Sequence, residues 1–366
     1  MTLTESDVID RLVAAHVLSV DDVVDTGLTI ETSTRRNRNL RITWPDGTGY
    51  FIKLPNDRSP MSRSTLRAEA EFYRTAAGRG HPFDALLVRL VYADHDTSLL
   101  ALELESRHHS LRDLLTTADH GQFPVALCRT VGRLLGAIHA AGPGAPGAPA
   151  SPPAVAPVAN YGRPDPWLLG TASRGTLMLM EMLQDSAALS AGLTELVGQW
   201  QPETLVHGDI RADNVLVAHP AAGADDVRLV DWELWHVGDP AQDLAGLLEA
   251  IVSATLGRAL ADPPSQMADA KPTDQSLDLG TAGVVMQAAC HAVWLDYLLA
   301  RQLAARARRV LALRATAFTA ARMVQSEVEV ADRSEAVSNR GCAMLQVAEN
   351  VFTDPERAAT EFLALA

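Results

Sequence analysis

Three polar residues with the chemistry of phosphate transfer lie near one another in the second half of the chain. Asp209 and Asn214 are five residues apart in the segment LVHGDIRADNVLV at 205–217, and Asp231 follows the next apolar run. A carboxylate can orient an attacking hydroxyl group and accept its proton, while a carboxamide and a second carboxylate can bind Mg²⁺ beside phosphate groups. The spacing therefore predicts phosphoryl transfer, with Asp209 as the catalytic base and with Asn214 and Asp231 as metal ligands.

The same segment resembles the HxDxxxxN loop and the metal-binding aspartate of the aminoglycoside phosphotransferase and choline kinase superfamily. The likeness continues into GDPAQDLA at 238–245, which is similar to the GDPxxDLA element that braces the catalytic loop in that family. For Asp239 and Asp243 the resemblance implies a structural role, and for His207 it implies packing and hydrogen bonding behind the loop. It also implies a protein-kinase-like fold and ATP and Mg²⁺ as cofactors.

A nucleotide site of this kind needs a lysine for the phosphates and an acid on the following helix to hold that lysine. Lys53 lies between Ile52 and Leu54 at the end of a predicted strand, where the resembled family places its lysine. Glu69 and Glu71 both lie on the next predicted helix, about 200° apart around its axis, so only one can face the lysine. We favour Glu69 as the partner of Lys53.

The loop between the first two predicted strands, at 31–39, contains no glycine, in contrast to the glycine-rich loops of protein kinases. Polar side chains and a nest of backbone amides can still hold phosphate groups. The side chains that offer hydrogen bonds or charge are Ser33, Thr34, Asn37 and either Arg35 or Arg36. The segment LELE at 102–105 ends the last predicted strand of the N-terminal part, and we expect a hinge there, where the backbone around Glu103 and Glu105 binds the nucleotide base.

Two further charged residues near the predicted base have alternative roles. Arg211 either neutralises the transferring phosphate, as a cation often does in related kinases, or is a surface or Asp-paired arginine. Glu233 either assists a metal ion or hydrogen-bonds the loop. The residue types alone leave both pairs of alternatives open.

The pattern of elements changes near residue 105. Before it, a helix over 5–18 precedes the order β-β-β-α-β-β, and beyond it the apolar spacing is mainly helical. The strands are predicted at 23–32, 38–44, 49–54, 86–93 and 97–104, and the helix at 64–77. We therefore predict an α+β, bilobal protein-kinase-like fold, with a small antiparallel-sheet N-lobe carrying one helix over 1–105 and a larger, mainly helical C-lobe over 106–366. The Pro/Gly/Ala-rich stretch at 141–166 is predicted to be an exposed, mobile loop.

The acceptor of the phosphate is less well indicated. In the resembled superfamily acceptors include aminoglycosides, choline and other small hydroxyl compounds, and fold does not choose among them. Helical acids such as Glu249 and Asp296 could meet a cationic acceptor, although helical acids are more often surface residues.

The loop at 33–39 followed by YFIK at 50–53 also resembles kinase-like proteins of lanthipeptide and thioamidated-peptide biosynthesis. That likeness implies Ser or Thr of a precursor peptide as the acceptor and a separate lyase as a partner.

Two alternatives to a kinase remain at this stage. One is a catalytically silent, kinase-like scaffold that binds a nucleotide for a partner enzyme. The other is an ATP hydrolase with water as the acceptor, which differs from a kinase only in what reaches Asp209. The scaffold is disfavoured because every residue that such a protein commonly lacks is present: Lys53, Glu69, Asp209, Asn214 and Asp231.

Composition argues against several other classes. The formal net charge of −14 argues against a nucleic-acid binder, and it either favours a cationic partner or only maintains solubility. No apolar run reaches the length of about 18–20 residues needed to span a membrane, and the chain does not begin like a secretory signal. We therefore expect a cytoplasmic protein without a membrane partner. The three cysteines, Cys128, Cys290 and Cys342, lie far apart in apolar helical patterns and are predicted to be buried thiols.

Overall fold

A computed structural model describes residues 3–24, 27–34, 37–59, 61–117, 124–142, 158, 160–162, 164, 166–218, 226–261 and 280–365. The strands are β1 (Thr29–Thr34), β2 (Arg38–Thr43), β3 (Gly49–Leu54), β4 (Leu90–Asp94), β5 (Leu99–Glu103), β6 (His108–Ser110), β7 (Thr204–Val206), β8 (Val215–Ala218), β9 (Val227–Leu229) and β10 (His236–Gly238). The helices of the N-terminal part are α1 (Glu5–Ala14), α2 (Val20–Val24), α3 (Ser62–Ala76) and α4 (Phe83–Leu86). Those that follow are α5 (Leu111–Thr117), α6 (Val125–Ala140), α7 (Pro166–Thr171), α8 (Arg174–Asp185), α9 (Ala187–Gly198), α10 (Pro240–Ala261), α11 (Gly280–Arg301), α12 (Ala305–Ala331), α13 (Asn339–Thr353) and α14 (Pro355–Arg357).

The chain divides into two compact units. The first contains Met1–Ser110 and Asn214–Trp235, and the second contains Leu111–Asp213 and His236–Ala366. This division differs from the predicted boundary at residue 105 mainly in the placement of Asn214–Trp235. The reason is strand pairing, because β8 pairs with β6 on one side and with β9 on the other. The segment that carries Asn214 and Asp231 is therefore built into the first unit.

An antiparallel sheet of the order β1-β2-β3-β5-β4 forms the centre of the first unit. Alternating apolar residues of β2 and β3 point to one face, where Leu40, Ile42 and Ile52 are fully buried. Helix α1 covers that face with Val8 and Leu12. Burial of these side chains fixes the strand register, because a shift of one residue would turn them all to the opposite face.

The prediction of the first strand at 23–32 was wrong at its beginning. Residues Val20–Val24 form the short helix α2, and β1 begins only at Thr29. The helix is capped by Ser19 and Asp22, since the amide of each donates to the side chain of the other. This reciprocal cap outweighs the strand preference of the valines, whose side chains have no packed surface to pair with and remain exposed.

The second unit is mainly helical. Helices α6 and α11 approach so closely that a Cβ added at Gly132 or Gly136 would come within 2.3 Å or 2.7 Å of the backbone oxygens of Val293 or Tyr297. Within the described ranges, α11 is the one helix long and apolar enough to cross a membrane, with a mean hydropathy of 1.3, and half of its most apolar window is buried inside the protein. Cys128 and Cys290 are buried as predicted, whereas Cys342 is exposed and that prediction was wrong.

Most of the predicted mobile loop at 141–166 lies outside the described residues.

Candidate active site

Lys53 on β3 is the centre of a buried charge cluster in the first unit. Its Nζ lies 2.8 Å from both carboxylate oxygens of Glu69 and 2.6 Å from Oδ1 of Asp231. Lys53 is only 6% exposed, and Glu69 is fully buried. Burial alone would lower the pKa of Lys53, but the negative charges of Asp231 and Glu69 outweigh burial and raise it. Lys53 is therefore a fixed cation that faces two carboxylates.

Glu69 and Glu71 have opposite surroundings, as their spacing on α3 requires. Glu69 pairs with Lys53, and burial raises the pKa of Glu69 while the charge of Lys53 limits that rise. The side chain of Glu71 is 63% exposed and lies 3.8 Å from Arg74. These distances confirm the predicted choice of Glu69 over Glu71 as the partner of Lys53.

Asp231 lies two residues after the end of β9 in a left-handed backbone conformation, with φ 70° and ψ 49°. Aspartate is one of the few residues other than glycine that occupies this region often. The turn that begins at Asp231 is fastened to α3 by aromatic contacts. Trp232 stacks on Phe72 with ring centroids 4.0 Å apart, and the indole of Trp235 donates to the carbonyl of Ala68 at 2.8 Å. This anchoring brings Asp231 to Lys53.

Asn214 lies at the end of a 3-10 turn immediately before β8 and is 8% exposed. Its backbone carbonyl accepts a hydrogen bond from the amide of Val230 at 3.0 Å. Val230 immediately precedes Asp231, so this bond joins the two chain segments that carry the predicted metal ligands.

The predicted phosphate loop is shorter than expected. Ser33 and Thr34 are exposed residues of β1, and Arg35 and Arg36 lie outside the described residues. Asn37 is buried, where its Oδ1 accepts from Ser62 at 2.6 Å and its amide group donates to Glu233 at 3.4 Å. Glu233 thus makes a hydrogen bond to this loop, and its alternative role beside a metal ion stays a prediction.

The predicted hinge residues hold ion pairs inside the first unit. Glu103 accepts a hydrogen bond from Arg89 at 2.8 Å, and Glu105 lies 3.1 Å from a ring nitrogen of His108. The backbone amide of Leu104 donates to Gly49 at 2.9 Å. The end of β5 is therefore tied to β3 through the backbone, while the side chains of Glu103 and Glu105 contact neighbouring strands and loops.

In the second unit, Asp243 of α10 holds the loop that carries the predicted base, Asp209. Its carboxylate accepts from the amides of His207 at 2.7 Å and Gly208 at 3.0 Å, and Nε2 of His139 lies 3.1 Å away. Burial would raise the pKa of Asp243, but the hydrogen bond and charge of His139, together with His207, lower it. Asp239 caps the same helix by accepting from Ala241 at 2.9 Å. Both aspartates thus make the structural contacts that the resemblance implied.

His207 is fully buried, and its Nδ1 accepts a hydrogen bond from the amide of Asp209 at 3.3 Å. The imidazole therefore supports the loop from behind.

Asp209 contacts an arginine that sequence reasoning missed. Its Oδ1 accepts from Nη2 of Arg322 on α12 at 2.8 Å, whereas Arg211 pairs with Glu329 at 2.6 Å. Burial would lower the pKa of Arg211, but the charges of Asp209 and Glu329 raise it. Arg322 lies 113 residues from Asp209 in the chain. No motif or local spacing marks such a partner, so only the folded structure reveals it.

The two helical acids considered for a cationic acceptor are both buried. Glu249 of α10 is 9% exposed, so it is not the surface residue that helical acids usually are. Asp296 of α11 accepts a hydrogen bond from Arg129 at 2.8 Å.

The carboxylate of Asp231 beside Lys53 fits Mg²⁺ delivered with a nucleotide. Throughout the ranges that the structure describes, no group of three or more His, Cys, Asp or Glu side chains could hold a metal ion alone. Mg²⁺ is commonly bound by one or two carboxylates together with substrate phosphates, so such a group is not required. The side chain of Asp231 is 32% exposed and remains accessible, and Asn214 supplies a carboxamide.

Comparison with known proteins decides the family. Residues 30–278 match the sequence model of the phosphotransferase enzyme family APH. The chain belongs to this family. It is therefore an enzyme, a phosphotransferase of the kinase type, as the sequence predicted. A sequence search of curated proteins finds no match.

Solved structures share the fold of this phosphotransferase. A choline/ethanolamine kinase family protein from Mesorhizobium loti is 15% identical with a TM-score of 0.53, covering 98% of each chain. An ethanolamine kinase of Plasmodium vivax is 12% identical with a TM-score of 0.55, covering 94% of this chain and 89% of its own. The complex of APH(2")-IIia with GDP and kanamycin is 12% identical with a TM-score of 0.51, covering 94% and 99%. The predicted α+β, protein-kinase-like fold is confirmed.

Proposed function

We propose that the protein transfers the γ-phosphate of ATP, with Mg²⁺ as cofactor, to a hydroxyl group of a small molecule. The observation that carries this proposal is the ion-pair cluster of buried Lys53 and Glu69 with the partly exposed Asp231, in a chain of the phosphotransferase family. A fixed cation can bind phosphate oxygens, and a carboxylate beside it can face a metal ion at the same phosphates. The proposed location is the cytoplasm.

The residues of the first unit bind the nucleotide in this proposal. Glu69 keeps Lys53 in place, while phosphate oxygens replace Asp231 as the second partner of the lysine. Asp231 and Asn214 would then hold Mg²⁺, which neutralises phosphate charge when it is bound. Asn37 anchors the chain just before β2 through its bonds to Ser62 and Glu233. The exposed side chains of Ser33 and Thr34 lie at the end of β1. We place the base against the hinge around Glu103 and Glu105.

The residues of the second unit act on the acceptor. Asp209 orients the hydroxyl group and accepts its proton as the oxygen attacks the γ-phosphorus, and the bond from that phosphorus to the bridging oxygen of the nucleotide breaks. Arg211 supplies positive charge for the transferring phosphate. Asp243 keeps the loop in one conformation through its bonds to the amides of His207 and Gly208. A loop held in this way has little to reorganise during the reaction.

A small-molecule acceptor is the first choice because two of the solved structures above are named for choline or ethanolamine kinases and a third holds kanamycin. A peptide acceptor with a separate lyase rests on the likeness of one loop and is the alternative that the assay separates.

A turnover assay with Mg·ATP tests the proposal on a panel of aminoglycosides, amino alcohols and Ser/Thr-containing peptides. Asp209→Asn should lower kcat at least about 10²-fold, because the base and its positioning are lost together. Asp213→Asn is the matched control, since Asp213 lies in the same loop and forms an exposed pair with Arg112. We expect the control to keep kcat within about twofold.

Each other outcome has its own meaning. Tight binding of Mg·ATP without transfer to any acceptor would indicate a scaffold, and phosphate release to water alone would indicate an ATP hydrolase. An Asp209→Asn variant that keeps its kcat would remove Asp209 from the role of base.

A further inference from the structure

The ion pair between Arg322 and Asp209 lies well inside the second unit. The side chain of Arg322 is 12% exposed and that of Asp209 is 18% exposed. A charge-assisted bond of 2.8 Å between such shielded groups restricts the orientation of the carboxylate much more than an exposed pair would. Arg211, in contrast, has a side chain that is 31% exposed and is turned towards Glu329.

The charge of Arg322 also acts on Glu249 of α10. Glu249 lies between the buried residues Leu248 and Ala250, where an isolated charge would be costly. Burial raises the pKa of Glu249, and the positive charge of Arg322 is the strongest influence that opposes this rise. The carboxyl group also accepts a hydrogen bond from Ser326, one helical turn beyond Arg322 on α12. Arg322 thus pairs directly with Asp209 and also acts electrostatically on Glu249.

We propose that Arg322 is a positioning residue for Asp209 in the phosphate transfer. The guanidinium binds Oδ1 and fixes the plane of the carboxylate, so that Asp209 meets the acceptor hydroxyl in one orientation. A planar guanidinium donates its hydrogen bonds in a fixed geometry, which a lysine ammonium does less well. This inference rests on the proposed role of Asp209 as the base.

The test compares Arg322→Gln, Arg322→Lys and Glu249→Gln in the full-length protein with Mg·ATP and an acceptor from the panel. Loss of positioning by about 1 Å lowers kcat about 10²-fold, so we expect a loss of this size for Arg322→Gln. The KM for ATP should stay within about twofold, because the lysine cluster is untouched. Arg322→Lys should recover part of the kcat, and Glu249→Gln should lower it by about tenfold or less.

Arg309→Gln is the matched control. Arg309 lies on the same helix, and its pair with Glu356 is exposed, with a side chain that is 72% exposed. The Arg309→Gln variant should leave kcat and the melting temperature unchanged. If Arg322→Gln fails to fold, Arg322→Lys and Glu249→Gln carry the test, since both keep the size of the side chain nearly constant.

A double-mutant cycle separates positioning from a structural role. If Arg322 acts through Asp209, adding Arg322→Gln to Asp209→Asn causes no further loss of kcat. Multiplicative losses, or a change in KM alone, would overturn the inference. A wild-type protein that transfers phosphate, with an inactive Asp209→Asn and a fully active Arg322→Gln, would overturn the inference but keep the proposed function. No transfer by the wild-type protein would overturn both.

Discussion

Gly246 is a position at which the backbone of α10 packs closely on the loop that carries Asp209, and substituting it tests whether that packing holds the loop in place. A Cβ added at Gly246 would lie 2.1 Å from the carbonyl oxygen of Ile210, the residue after Asp209. Ordinary van der Waals contact begins at 3.4 Å. In Gly246→Ala the loop and the helix must therefore move apart by about 1 Å, because the nearest atoms belong to the backbone of Ile210 and not to the end of a flexible side chain.

The magnitude follows from two opposing effects. Overpacking costs about 1–3 kcal/mol, and the better helix propensity of alanine returns up to about 1 kcal/mol. We expect the free energy of unfolding to fall by about 1–2 kcal/mol. A displacement of about 1 Å next to the proposed base should lower kcat by about 10²-fold.

Gly257 is the control on the same helix, since a Cβ there would meet only Nε of Arg340, at 4.0 Å. Gly257→Ala should raise the free energy of unfolding by about 0.5–1 kcal/mol and leave kcat unchanged. Urea unfolding and the turnover assay on both variants give the comparison. A Gly246→Ala protein as stable and as active as Gly257→Ala would refute the close packing of the loop on α10.

Three further predictions concern the charged residues. Glu69→Gln should lower the free energy of unfolding by about 1.5–3 kcal/mol and weaken ATP binding, because Lys53 loses a buried charged partner. Glu71→Gln is the control and should change the free energy of unfolding by less than about 0.5 kcal/mol. Denaturation measures the stability of both variants, and calorimetry measures their ATP binding. Asp231→Asn should abolish the Mg²⁺ dependence of nucleotide binding, and an unchanged dependence would remove Asp231 from the metal site. Because the folded pKa of Asp243 is lowered, its contribution to stability is present above its ordinary value of 3.8 and is lost as the pH falls through the folded pKa. Asp243→Asn should therefore be destabilised at pH 7 by about 1.5–3 kcal/mol and show a flatter decline in acid, and an acid unfolding curve that is parallel to that of the wild-type protein would contradict this.

Several features could be predicted because they depend on residues close together in the chain. The strands at 38–44 and 49–54 have alternating or continuous apolar runs around a turn, and the structure has them at Arg38–Thr43 and Gly49–Leu54. The angle between positions on a helix predicted that only one of Glu69 and Glu71 faces Lys53, and the structure pairs Lys53 with Glu69. The prediction of where the first strand begins was wrong, and the reason is also local. The Ser19–Asp22 cap competes with strand propensity over only a few residues.

The sequence by itself determined the order of the chemical groups along the chain. That order was enough to predict the phosphotransferase family, the loop with Asp209 and the pairing of Lys53 with Glu69. Only the tertiary structure decided which groups surround them. The contact of Arg322 with Asp209 spans 113 residues, and the stacking of Trp232 on Phe72 joins a turn to a helix far earlier in the chain. Such contacts arise when whole helices pack against a loop, and packing depends on the combined shape of many side chains. No spacing within one segment records that shape.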